Sequence, residues 1–120
     1  MRAAYLLGRT ALGAFFLYSG IHHFQEREQM TQYAAAKGVD SAELAVTGTG
    51  ALLTVSGLSL LLGASPKLGA LGAVAFLAGV SPQMHDFWNV SDPGQRQNEM
   101  VHFTKNIALL AATLTLLDHD

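Results

Sequence analysis

From Leu44 to Pro66 the chain reads LAVTGTGALLTVSGLSLLLGASP, without a single charged residue. A hydrocarbon core about 30 Å thick is crossed by roughly 20 helical residues, so this stretch is long enough to span a bilayer. Its polar groups are Thr and Ser alone, whereas a soluble helix of this length carries Lys and Glu on its water-facing side. Lipid is the expected solvent, and a soluble four-helix bundle is the rival.

On either side lie three weaker spans. Leu68 to Met84 is uncharged but rich in Gly and Ala and interrupted by Ser81-Pro82; the first span carries Arg9, and the last carries His102 and Lys105. Charges inside membrane helices face a bundle or a wet cavity. The expected fold is therefore all-α: one domain over residues 1–120, an antiparallel four-helix transmembrane bundle with helices at about 3–24, 43–63, 67–88 and 99–117. Gly63 with Ala64-Ser65-Pro66-Lys67 makes a tight turn between the second and third helices. Asn89 to Gly94 is turn chemistry before the fourth. In the link from Gln25 to Ala42, Met30 to Ala36 forms a short surface helix ending before Gly38, and Asp40 or Ser41 caps the next helix.

The 120 residues are 50% apolar and 13% charged, a composition that folds. The absence of cysteine excludes disulfides, thiolate nucleophiles and cysteine metal sites. A net charge of -2 without basic runs offers nothing to the phosphates of nucleic acid. Met1-Arg2 opens like a secretory signal, but no small-x-small cleavage site follows Tyr18-Ser19-Gly20, so an uncleaved first helix is expected. An even helix count puts both termini on one side, and the basic residues on the short terminal segments favour the cytoplasm.

Alternating helix directions gather the remaining chemistry at the opposite, loop-side face: His22, His23, Glu43, His85, Asp86, Trp88, Glu99, His102 and Lys105. Arg9, Gly13, Phe16, Gly20 and His23 share one face of the first helix, and Glu43, Thr47, Gly50, Thr54 and Gly57 one face of the second. Ser81, His85 and Trp88 continue the pattern on the third, and His102, Lys105 and Asn106 on the fourth at i, i+3 and i+4. A polar pocket open to the loops is expected, with His23, His85, Trp88, His102, Lys105 and Asn106 as candidate ligand-binding residues. Arg9 and Glu43 are read as buried or structural charges. Plainer roles stand beside these. Gly69 with Ala73 and Ala75 with Gly79 pack helices, Trp88 and Tyr33 anchor at headgroups, and Lys105 snorkels. Arg9 has no acid at its depth except Asp118 or Asp120, and would cap helix carbonyls or bind a lipid phosphate.

Four short patterns, in order along nearly the whole chain, resemble the DoxX family of small bacterial membrane proteins. They are Arg9-x-x-Leu12-Gly13-x-x-Phe16 with Ser19-Gly20, Gly57-Leu58-x-Leu60-Leu61-Leu62-Gly63, His85-x-Phe87-Trp88, and Lys105-Asn106. The resemblance implies a four-helix transmembrane fold in the bacterial inner membrane. It also implies an association with thiosulfate:quinone oxidoreductase, through the related DoxD subunit, or with complexes that manage oxidative stress. Arg9 and Lys105-Asn106 match the family positions. His23 stands where many members have Lys, and Leu53 where many have Glu, so a charge relay built on that acid is not expected.

Two functions compete. In the first, a quinone-linked membrane subunit admits an isoprenoid ring, and His85, His102 or Lys105 hydrogen-bonds its carbonyls. A histidine passes protons near neutral pH. No cofactor is expected in the chain itself, so electrons come from a redox partner. In the second, a noncatalytic scaffold or assembly factor docks a protein partner or a second copy of itself on the polar face. A metal site drawn from His22, His23, His85 and His102 with Asp86 or Glu99 ranks last, because no paired-ligand motif supports it; no metal ligand is assigned.

Overall fold

The computed structural model describes residues 2–118, and every regular element in them is helical. The helices are α1 (Arg2–Gln25), α2 (Arg27–Ala36), α3 (Ala42–Leu62), α4 (Pro66–Met84) and α5 (Pro93–Leu114), with short 3-10 turns at Phe87–Asn89 and Thr115–Asp118. Asp120, one of the two acids considered for Arg9, lies outside the described residues.

α3 is the centre of the packing. Against α1 it presents glycine to glycine: a Cβ at Gly13 would stand 2.8 Å from the Leu61 nitrogen, and one at Gly20 2.9 Å from the Gly50 carbonyl. A Cβ at Gly57 would collide with the Leu17 backbone nitrogen. The two antiparallel helices thus touch backbone to backbone, which only small residues permit. Against α4 the contact is closest near the turn at Gly63, where a Cβ at Gly69 would stand 2.7 Å from Ser59 Oγ and one at Gly72 2.6 Å from Ser56 Oγ. α5 then packs on α4. Between α5 and α1 the contact is looser, with a groove of about 620 Å³ between Tyr5, Leu12 and Phe15 on one side and Leu109 and Leu116 on the other. Phe16, Leu53, Leu60, Ala70, Ala73, Leu77 and Leu116 form the main core.

Among the described residues, two helices are long and apolar enough to cross a bilayer, Ala42–Leu62 and Pro93–Asp118 including its terminal 3-10 turn, and most of each lies on the outside of the fold. Leu44, Val55 and Leu62 are 73%, 65% and 75% exposed. Leu7 and Leu68 are similarly open. So broad an apolar exterior is what lipid covers, not water. The second span is the C-terminal helix, expected to insert poorly alone; its apolar run from Ile107 to Leu117 outweighs Lys105 and His102.

The punctuation departs from expectation in three places. The third long helix ends at Met84, not Trp88: Pro82 has no N–H to give and crowds the preceding turn, and the chain leaves the helix at His85. Trp88 therefore does not continue the face of Ser81 and His85. The last long helix begins more than a turn earlier than expected, at Pro93, because Asp92 accepts a hydrogen bond from the Gln95 N–H at 2.9 Å and proline suits the first helical position. Ser41 stands at the start of α3 with φ 51°, yet no side chain caps that end. Gly63 ends α3 in the left-handed conformation, φ 70°, as its position predicts. The surface helix is present and begins at Arg27.

Candidate functional site

The loop-side end of the molecule holds an apolar cavity and, beside it, a cluster of ionisable groups. The cavity lies between α3 and α4 beyond their close contact at Gly72. Ala45 and Thr49 on α3 and Ala75 and Gly79 on α4 are too small to close the gap, and a Cβ at Gly79 would meet nothing within 4 Å. Ala75 and Gly79, expected to pack helices, instead open a space of about 820 Å³. Val46, Leu52, Phe76, Val80 and Met84 give it apolar walls, and α2 covers it with Met30, Tyr33 and Ala34. His22 and His23 reach it from the end of α1, and His102 from α5.

Glu99 is the hub of the ionisable cluster. It is only 5% exposed. Its Oε2 accepts from the Tyr33 hydroxyl and from Lys37 Nζ, each at 2.7 Å, and its Oε1 lies 3.2 Å from His85 Nδ1. Lys37 also donates to Asp86 Oδ1 at 2.8 Å, and Asn89 Nδ2 to Asp86 Oδ2 at 3.1 Å. Gln83 Nε2 donates to the Lys37 carbonyl at 3.0 Å. These bonds tie α2 to the end of α4 and the start of α5.

Charges in the cluster follow from its geometry. Burial, with the hydrogen bond to Glu99, pushes the Tyr33 phenol up to about 12. Burial opposes the charge on Lys37, but its hydrogen bonds to Asp86 and Glu99 outweigh that and raise it. The Lys37 hydrogen bond, with that of Asn89, holds the Asp86 carboxyl low. Burial lowers His85 despite its bond to Glu99. At neutral pH, Lys37 is an ammonium, Asp86 a carboxylate, Tyr33 a neutral phenol and His85 a neutral imidazole donating from Nδ1.

The six candidate ligand-binding residues divide. His23 and His102 both stand on the cavity wall. His85 lies behind the wall, stacked on His102 with ring centroids 5.0 Å apart. Lys105 is exposed and reaches back to His102, with Nζ 3.4 Å from Nδ1. Trp88 is half exposed and packs edge-on with Phe87 and Phe103, away from the cavity. Asn106 is buried on α5, not on the cavity wall.

The two structural charges also divide. Arg9 lies against Gly63 at the C-terminal end of α3, where the helix dipole is negative, with its guanidinium 5.6 Å from the Tyr5 ring centre. Among the described residues, its buried Nε has no hydrogen-bond partner, and no ion pair joins Arg9 to Asp118. Glu43 is exposed, not buried, because the inward face of α3 runs through Ala42, Val46, Gly50 and Leu53.

Tyr33, Lys37, Asp86 and Glu99 were not among the candidate ligand-binding residues. Glu99 was legible, lying three residues before His102 on the same face; Lys37 and Tyr33 were not, because nothing local says where α2 docks. Among the described residues, no group of three or more His, Asp or Glu could hold a metal ion.

No curated protein and no solved structure matches the chain. The model of the DoxX family matches residues 4–86, from the first turn of α1 to Asp86 of the cluster, and stops short of α5 with its Glu99, His102 and Lys105. Well over half of the chain is matched, and with two apolar helices on the outside of its fold this membrane protein belongs to the DoxX family.

Proposed function

We propose that the protein is a multi-pass subunit of the bacterial inner membrane with both termini in the cytoplasm. Its loop-side cavity would bind an isoprenoid quinone within a quinone-linked oxidoreductase or an oxidative-stress complex. The observation that carries this reading is a mainly apolar cavity with the imidazoles of His23 and His102 among its lining groups. Its volume, about 820 Å³, falls within the usual range of small-molecule sites. Apolar walls suit a ring and the first units of a prenyl tail, and a few polar groups suffice to orient the ring's oxygens. Leu52, Ala75 and Gly79 on the rim are exposed on the side of the helices, where a lipid-soluble ligand would arrive.

A quinone takes up two electrons and two protons on reduction, and a partner protein would deliver the electrons. This chain would hold the ring, keep water away with α2, and present hydrogen-bonding nitrogens to its oxygens. His85 and Lys105 support His102 from behind and would not touch the ligand.

Mass spectrometry of protein extracted gently from its native membrane should find bound quinone, and His102→Ala should lose most of it. No bound quinone, together with no uptake of added quinone, would overturn the reading. The membrane assignment predicts retention in the pellet after alkaline carbonate washing. Because the chain lacks cysteine, a single Ser91→Cys variant reports topology: an impermeant maleimide should label it from outside intact inner-membrane vesicles of native orientation, and protection would reverse the topology.

A further inference from the structure

Building on the reading of the cavity as a quinone site, we propose that it selects the reduced, hydroxyl-bearing ring over the oxidised dicarbonyl form. The basis is a pair of imidazoles held in opposite tautomers. His23 Nδ1 lies 2.7 Å from the Ser19 carbonyl. A carbonyl only accepts, so Nδ1 carries the proton and Nε2 is left with a lone pair. His102 Nδ1 lies 3.4 Å from Lys105 Nζ. An ammonium only donates, so this Nδ1 carries the lone pair and Nε2 carries the proton. In each ring Nδ1 is committed to protein, which leaves Nε2 as the nitrogen available to a ligand. The two rings therefore offer one acceptor, from His23, and one donor, from His102.

Of the other polar groups lining the cavity, His22, Glu26 and Gln29 are exposed and keep their water, and the rest are engaged with protein. Tyr33 is bonded to Glu99, Thr49 to the Ala45 carbonyl, and Gln83 to the Lys37 carbonyl. A hydroquinone satisfies both imidazoles: one hydroxyl donates to His23 Nε2, and the oxygen of the other accepts from His102 Nε2–H. A quinone has only acceptor oxygens. It satisfies His102 and sets a carbonyl lone pair against that of His23, leaving a buried acceptor unpaired. Lys105 and the Ser19 carbonyl act as positioning groups, since each sets a tautomer without touching the ligand.

The test is anaerobic titration of the purified protein in detergent with a short-chain hydroquinone and with its quinone. The hydroquinone should bind about 10-fold tighter. His23→Leu should bring the two affinities together. Lys105→Met should weaken hydroquinone binding through loss of the fixed tautomer, and Lys105→Arg, still a pure donor, should restore it. Nitrogen NMR of the labelled wild-type imidazoles should find the proton on Nδ1 of His23 and on Nε2 of His102, a readout that does not depend on any variant folding. Equal affinity for the two forms, or a protonated Nδ1 on His102, would overturn the preference while leaving the quinone site in place. Failure of both forms to bind would overturn the site itself.

Discussion

Along the seam between α1 and α3, Gly13, Gly20, Gly50 and Gly57 bring two backbones into contact; in the loop-side half of the α3–α4 pair, Ala45, Ala75 and Gly79 hold the helices no closer and leave a cavity. The same residue types produce opposite results. What differs is how near the neighbouring helix runs: where its backbone lies in reach, small residues permit close approach, and where it does not, they leave a void. Stability is concentrated in the first region, and room for a ligand in the second.

The largest expected effect lies at the seam. Gly57→Leu must push α1 away from α3, and should cost about 3 kcal/mol or more of stability in detergent. Gly79→Leu is the matching break in the other region. It should leave thermal unfolding nearly unchanged but fill the cavity, and equal damage by both substitutions would erase the contrast.

Next comes the cluster that fastens α2 over the cavity. Lys37→Met strips Glu99 and Asp86 of their cation and should cost on the order of 2 to 4 kcal/mol, seen as faster proteolysis between Arg27 and Ser41. If α2 stays protected in that variant, apolar packing of Ala34 on Ala42 and Val46 holds it instead.

pH should loosen the same fastening from both sides. His85 is lowered, so its contribution is whole above its unfolded value near 6.5 and is lost as pH falls through its folded value. Asp86 is also lowered, and its contribution follows at more acid pH, below its ordinary value of 3.8. Lys37 and Tyr33 are raised, so their contributions are whole below about 10 and fade as pH rises through their folded values, about 12 for Tyr33. Hydrogen exchange of α2 should therefore be slowest, once corrected for intrinsic rates, between about pH 6.5 and 10. A flat profile would remove the cluster as the fastening. The smallest effect belongs to Glu43→Gln. An exposed acid in the first turn of α3 gains only from the helix dipole, and its loss should change stability by about 0.5 kcal/mol at most, measured by thermal unfolding.

Much of the fold was legible before any tertiary contact was known. The uncharged run from Leu44, the glycine at 63 and the inward face of α1 through Gly13, Phe16, Gly20 and His23 all stand where expected. Local chemistry also explains two misplaced boundaries, since Pro82 and the pair Asp92-Pro93 carry strong signals that span counting overlooks. The site was legible only in part. The face of α5 containing His102 was visible, but the cavity depends on a gap between helices, which has no sequence pattern of its own. The docking of α2 was equally hidden: Lys37 meets Asp86 across 49 residues and Glu99 across 62.

Hydropathy and turn chemistry were sufficient to determine an all-helical chain suited to lipid, because span length and backbone termination are local properties read every few residues. Which small residues close a seam and which open a cavity, and which acid receives Lys37, were decided only by tertiary structure. Those outcomes depend on the distance between distant segments, and no local free energy encodes that distance.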